Sequence, residues 1–208
     1  MKREGKKEKK EEEKYAIIFI VEGDTEAHFY EHVLNIFELK QKFKGDFKII
    51  NSKGVSKIQN KGLNKCRDYI KTEKISTAYV FVCYDNDVFH RGQKPPLDYN
   101  KLKKELSEIK GIEWIGNIVA IEQIEDWFLL DLNGICTYLN IKAGKLIGTG
   151  EDKLKQLFKK AHKVYVKGEN IDNGKFIKDL NKDLLTKNMQ PQLKKIHGII
   201  ASVSIVNN

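Results

Sequence analysis

Three apolar runs in this chain stop at a carboxylate. Ile17-Ile18-Phe19-Ile20-Val21 leads into Glu22-Gly23, and Tyr79-Val80-Phe81-Val82-Cys83-Tyr84 leads into Asp85-Asn86-Asp87. The third run, Ile118-Val119-Ala120-Ile121, ends at Glu122, with Glu125 and Asp126 just behind it. Unbroken apolar runs of this length read as buried strands. Segments with helical spacing lie between them, so the alternation over residues 16–132 predicts an α/β fold with a mostly parallel four-stranded sheet and helices on both faces. Open α/β sheets place their sites at the carboxyl ends of the strands. Carboxylates gathered there repel one another unless a cation or protons intervene. Hard oxygen donors on a shared edge suit Mg²⁺ or Mn²⁺.

The spacing predicts strands at about residues 16–21, 47–50, 79–84 and 114–121. Helices are expected after Asp24 or Thr25, with Ala27, Phe29, Tyr30, Val33, Leu34 and Phe37 on the core face, and over residues 58–72, 102–109 and 124–132. Residues 90–99 read as a loop. Further on the strand signal ends, and helices are expected around residues 154–161, 176–185 and 191–200. The division that follows is a charged, disordered lead-in over residues 1–14, a catalytic domain over 15–135 and a basic helical subdomain over 136–208.

With 208 residues, 40% of them hydrophobic, the chain suits one domain or a domain plus a subdomain. No run approaches the length of a membrane span, and no apolar leader is expected at the N-terminus. Cys66, Cys83 and Cys136 form no CxxC pair, which argues for a reducing cytoplasm and against a structural zinc site. The net charge of +9 is uneven: residues 142–208 hold 14 Lys against 6 Asp and Glu, a balance of +8. An acidic centre beside a basic flank suits an enzyme acting on phosphodiesters, although a lysine-rich background also raises the total.

Individual residues carry two readings each. Glu22 is a candidate ligand whose following glycine lets a ligand approach, or a solvated strand-end carboxylate. Glu26 can point at the same edge, although a first-turn Glu is favoured by the helix dipole alone. Asp85 and Asp87, at i and i+2, can face one metal ion, or belong to an Asp-rich turn. Glu125 reads as a second-metal ligand or proton-transfer group at the mouth of an apolar helix. Asp126 joins the candidate ligands and, like Glu122, also reads as a cap or supporting residue. Lys163, Lys167 and Lys175 are candidate phosphate contacts or ordinary surface lysines. The His28/His32 pair reads as a helix feature, and Gly148-Thr149-Gly150 as a turn, since it lacks the P-loop Lys-Ser/Thr.

The string Ile20-Val21-Glu22-Gly23-Asp24-Thr25-Glu26-Ala27-His28-Phe29-Tyr30, followed by a strand ending in Asp85-Asn86-Asp87, resembles the Toprim catalytic domain. More narrowly, Glu125-Asp126-Trp127-Phe128-Leu129-Leu130 and Tyr165-Val166-Lys167-Gly168 are similar to elements of small Toprim nucleases of the OLD/RloB-like group. That resemblance covers about residues 15–175. It implies a Rossmann-like Toprim sheet, two ions of Mg²⁺ or Mn²⁺, and endonuclease cleavage of DNA or RNA. Glu22 is then general acid/base or ligand, Asp85 and Asp87 are metal ligands, and Glu26 and Glu125 match further ligand positions. The group further implies anti-phage defence alongside a separate ATPase partner, since this chain carries no ATPase motif. A ribosomal-RNA maturation nuclease, a non-catalytic subunit binding an ATPase or nucleic acid, and a homo-oligomer built through the tail stay open as alternatives.

Overall fold

A computed structural model describes residues 13–36, 38–89, 96–120, 122–167 and 175–206. Within them, strand β1 (Tyr15–Val21) is followed by helix α1 (Asp24–Ile36), the short α2 (Leu39–Lys42), and β2 (Asp46–Asn51). A 3₁₀ turn and a π turn (Ile58–Gly62) lead into α3 (Leu63–Glu73), then β3 (Thr77–Asp85), α4 (Tyr99–Ser107) and β4 (Ile112–Ala120). The rest is helical: α5 (Ile124–Phe128), α6 (Leu132–Leu139), α7 (Gly150–Lys160), α8 (Lys175–Lys178) and α9 (Lys182–Val206). The predicted lead-in lies almost wholly outside the described residues, as do most of the loop at 90–99 and the positions Phe37 and Ile121.

The four strands form one sheet in the order β2-β1-β3-β4. Every pairing is parallel, so the expected architecture is present. The order has a physical consequence. From β1 the chain moves outward to β2, then returns across β1 to β3 on the other side. Right-handed crossovers therefore place α1 on one face and α3 and α4 on the opposite one. The two cores agree. Ile17, Phe19 and Val21 pack with Phe29, Tyr30, Val33 and Leu34 of α1. Ile18 and Ile20 pack with Leu63, Cys66 and Ile70 of α3 and with Leu102 and Leu106 of α4. All seven residues of β1 are buried, as a central parallel strand requires. Gly62 lets the π turn approach the sheet: a Cβ there would stand 2.7 Å from Ile20 Cγ2.

The C-terminal helices join the α1 core. The Phe128 ring lies tilted against Phe29 at 5.4 Å between centroids and edge-to-face with Phe176 at 5.6 Å. Leu154, Phe158, Leu185, Met189 and Ile196 belong to the same cluster as Phe19 and Phe81.

Of the expected helices, the one over 58–72 opens as the π turn and the one over 102–109 runs from Tyr99 to Ser107; three more shift at a cap or a proline. The helix expected over 124–132 is broken by a 3₁₀ turn at Leu129–Asp131, where the Asp131 carboxylate accepts from Gly134 N at 2.9 Å and starts α6. The helix expected over 176–185 is interrupted because Asn181 Oδ1 accepts from Asp183 N and Leu184 N and starts α9 afresh. Pro191, read as the first residue of a last helix, lies inside the 25-residue α9.

Candidate active site

The switch in strand order lies between β1 and β3, where outward crossovers in opposite directions leave a crevice at the carboxyl ends. Glu22 follows β1 and Asp85 closes β3. The two are joined directly: Asp85 N donates to Glu22 Oε1 at 2.9 Å. Glu26, on the first turn of α1, and Glu125, on the first turn of α5 beyond β4, complete the group. All four carboxylates are buried, Glu125 completely and Glu22 at 9% exposure.

Among the described residues, one cation stands with them. Lys167 Nζ lies 2.6 Å from Asp85 Oδ2, 3.4 Å from Glu125 Oε2 and 3.7 Å from Glu26 Oε1. The remaining bonds are specific. Tyr165 OH donates to Glu125 Oε1 at 2.8 Å, and Ile124 N donates to Asp85 Oδ1 at 2.9 Å. Glu26 Oε1 is buried without a hydrogen-bond partner.

Four carboxylates against one ammonium is an unbalanced set, and its protonation reflects that. Burial pushes Glu22 up to about 8, with the Asp85 backbone N–H opposing. Burial pushes Glu26 up to about 7, opposed by the Lys167 charge. Asp85 and Glu125 are raised by burial as well, again against the pull of Lys167. Burial works against the charge of Lys167, yet Glu125, Asp85 and Glu26 hold its ammonium above the ordinary lysine range.

Asp87 is half-buried beside this group. Its Oδ2 accepts from Gln123 Nε2 at 2.8 Å, and its N–H donates to Glu122 O at 3.1 Å. Gln123 spends its other amide atom on α7, accepting from Glu151 N at 3.0 Å. Asp126 serves as a cap: its Oδ2 accepts from Gln123 N at 3.2 Å within the box that starts α5. Glu122 is exposed.

Of the three lysines expected at phosphates, Lys167 is the one brought to the carboxylates. Lys163 is exposed, with its ammonium 5.0 Å from the Tyr138 ring centroid. The side chain of Lys175 lies outside what is described, as does Gly168. His28 is exposed while His32 is buried, so the pair does not face one site together. Thr149 caps α7, with Asp152 N donating to its hydroxyl. The residues that reading the sequence missed are Gln123 and the hydroxyl of Tyr165. Tyr165 was signalled only as part of the Tyr-Val-Lys-Gly string, and a lone Gln carries no signal.

The donor set fits a hard divalent cation in chemistry: it is all oxygen, short of positive charge, and includes the Glu26 Oε1 that accepts no hydrogen bond. Among the described residues, no three Asp, Glu, His or Cys side chains stand as a ready ligand set. The approach to Asp85, Glu125 and Glu26 is shared with the Lys167 ammonium. Comparison with protein-family models, curated proteins and solved structures gave no match.

Proposed function

We propose that this chain is a divalent-metal-dependent endonuclease acting on the phosphodiester bonds of nucleic acid, akin to the Toprim nucleases of the OLD/RloB-like group that its motifs resemble. The observation that carries the reading is the convergence of Glu22, Glu26, Asp85 and Glu125 with Lys167 at the switch point of a parallel sheet. Buried carboxylates are costly unless paired, hydrogen-bonded or protonated, and perturbed groups of this kind cluster at functional sites.

Glu22, Glu26, Asp85, Asp87 and Glu125 are the residues that would hold Mg²⁺ or Mn²⁺. Bound there, the metal supplies Lewis acidity and a water of lowered pKa. The chain's own residues supply the rest. Lys167 places a positive charge beside the carboxylates, where a phosphate oxygen gains charge during in-line attack. Tyr165 fixes Glu125 by donating to Oε1. Gln123 holds Asp87 in one orientation and ties it to the start of α7. A role in phage defence beside a separate ATPase belongs to this proposal through the resemblance alone.

A second reading draws on the same lysine. Because its ammonium already neutralises part of the carboxylate charge, the site can stand without a metal, as in a binding subunit that does not cleave. Asp85→Asn separates the two. The Asn side chain keeps an oxygen to accept from Ile124 N, so the fold is retained while the anionic ligand is lost. The endonuclease reading expects metal-dependent cleavage to vanish with nucleic-acid affinity retained. Cleavage undiminished in the variant would overturn it.

A further inference from the structure

Glu22 and Glu26 open into a cavity of about 330 Å³. Also lining it are Asp24, Lys167, and Lys53 and Gly54 from the loop after β2. In the order β2-β1-β3-β4, Lys53 lies on the β2 side of Glu22, while Asp85 and Glu125, two of the three carboxylates about Lys167, lie on the β3 and β4 side, the third being Glu26 on α1. The cavity therefore carries a cation from each flank, with carboxylates between.

The Lys53 loop is built, not loose. Lys53 has φ of 63° and Gly54 has φ of 126°. Ser52 N donates to Val21 O at 3.0 Å, Gly54 N to Glu22 O at 2.7 Å, and Lys53 N to Asn51 Oδ1 at 2.8 Å. The Lys53 ammonium is held by both oxygens of Asp24, at 2.6 and 2.7 Å, and Asn51 Nδ2 braces the same carboxylate at 2.6 Å. That ion pair is about half exposed on both sides, and pairs of this kind cost little to exchange. Beside it, a Cβ on Gly54 would meet nothing within 4 Å, so a ligand backbone can approach closely.

We infer that this cavity is a phosphate-backbone subsite, in which Lys53, released from Asp24, and Lys167 hold non-bridging oxygens of a nucleic-acid strand on the two sides of the carboxylate group. The inference rests on the endonuclease reading and adds to it the path of the strand: across the β1–β2 edge, over Gly54, into the carboxylates. Lys53 makes a backbone contact that positions without reading bases.

The test is binding of short fluorescent single-stranded DNA and RNA oligonucleotides to the full chain, in EDTA and with Ca²⁺, over a range of salt. One lost phosphate contact lowers the slope of log affinity against log salt by about 0.7 on a single strand. Lys53→Ala is expected to lose that amount, Lys53→Arg to keep it, and Asp24→Asn to bind more tightly than wild type. The exposed Lys103, on α4 and distant in the fold, supplies the control Lys103→Ala, expected to match wild type. A slope unchanged in Lys53→Ala overturns the subsite, as does wild-type protein that binds neither oligonucleotide. Cleavage by wild type with an unchanged Lys53→Ala slope leaves the endonuclease reading standing. A lowered slope with no cleavage under any ion keeps the subsite and removes that reading.

Discussion

Raising the pH should weaken this fold. Glu26 moves from an ordinary 4.5 to about 7 and Glu22 from 4.5 to about 8, in both cases first because burial disfavours the charged form. Each native carboxyl thus binds its proton more tightly than the unfolded chain does. The native state holds the extra protons above about pH 4.5, so stability falls as pH rises and levels off past the native values. At about 1.4 kcal/mol per pH unit, Glu26 accounts for about 3 kcal/mol and Glu22 for about 5 kcal/mol. The two charges face the same lysine and each other, so the contributions do not add in full; about 3–5 kcal/mol is expected for the pair. Against a typical total of about 5–15 kcal/mol this is a large fraction. His32, held below its ordinary value by burial, works in the opposite direction, so the informative quantity is the difference between wild type and Glu26→Gln. Urea unfolding in EDTA, followed by circular dichroism from about pH 5 to about pH 8.5, should show Glu26→Gln flattening the fall by about 3 kcal/mol. Mg²⁺ should stabilise wild type at the upper end of the range and not the lower, because only ionised carboxylates bind it. A profile with the same slope in both proteins would refute the reasoning, as would a Mg²⁺ effect equal at both ends.

Two further substitutions probe the supports of the site. Gln123→Ala removes the amide that holds Asp87 and is expected to reduce Mn²⁺ affinity or cleavage rate by about 10–100-fold; unchanged values in both would show that Asp87 needs no such support. Tyr165→Phe deletes the donor to Glu125 Oε1 and should lower stability by about 1.5–3 kcal/mol, the range for a bond to a charged group. Thermal or urea melts at about pH 8 check it, and an unaltered midpoint would mean that the bond contributes nothing net.

Much of the architecture was legible because burial on both faces writes an uninterrupted apolar run. Ile17 to Val21 and Tyr79 to Tyr84 read as buried strands of a parallel sheet, and the carboxylates that follow then share an edge. Glu22, Asp85 and Glu125 do so. Lys167 was legible as a residue of interest but not in its place among the carboxylates: it reaches Asp85 across 82 positions of sequence, and no local pattern encodes such a contact. Gln123 was invisible for the same reason, since its partners Asp87 and Glu151 lie 36 and 28 positions away. Asp126 shows the converse. Its spacing from Glu122 allowed a ligand, while the shorter-range demand of the α5 N-terminus for a cap takes its carboxylate. The helix breaks at Asp131 and Asn181 are of this kind too, with a capping side chain outweighing an apolar stripe that continues past it. Pro191 misled because the first turn of a helix is its favoured place, whereas here α9 runs through it.

The most direct test of the central claim is cleavage of a mixed panel, comprising plasmid, single-stranded DNA, transfer RNA and ribosomal RNA, by the wild-type chain with Mg²⁺, Mn²⁺ or EDTA. The account predicts cleavage of at least one substrate with either ion, lost in EDTA and lost in Asp85→Asn. Cleavage that persists in EDTA, or none of any substrate by folded protein that binds nucleic acid and metal, would contradict it.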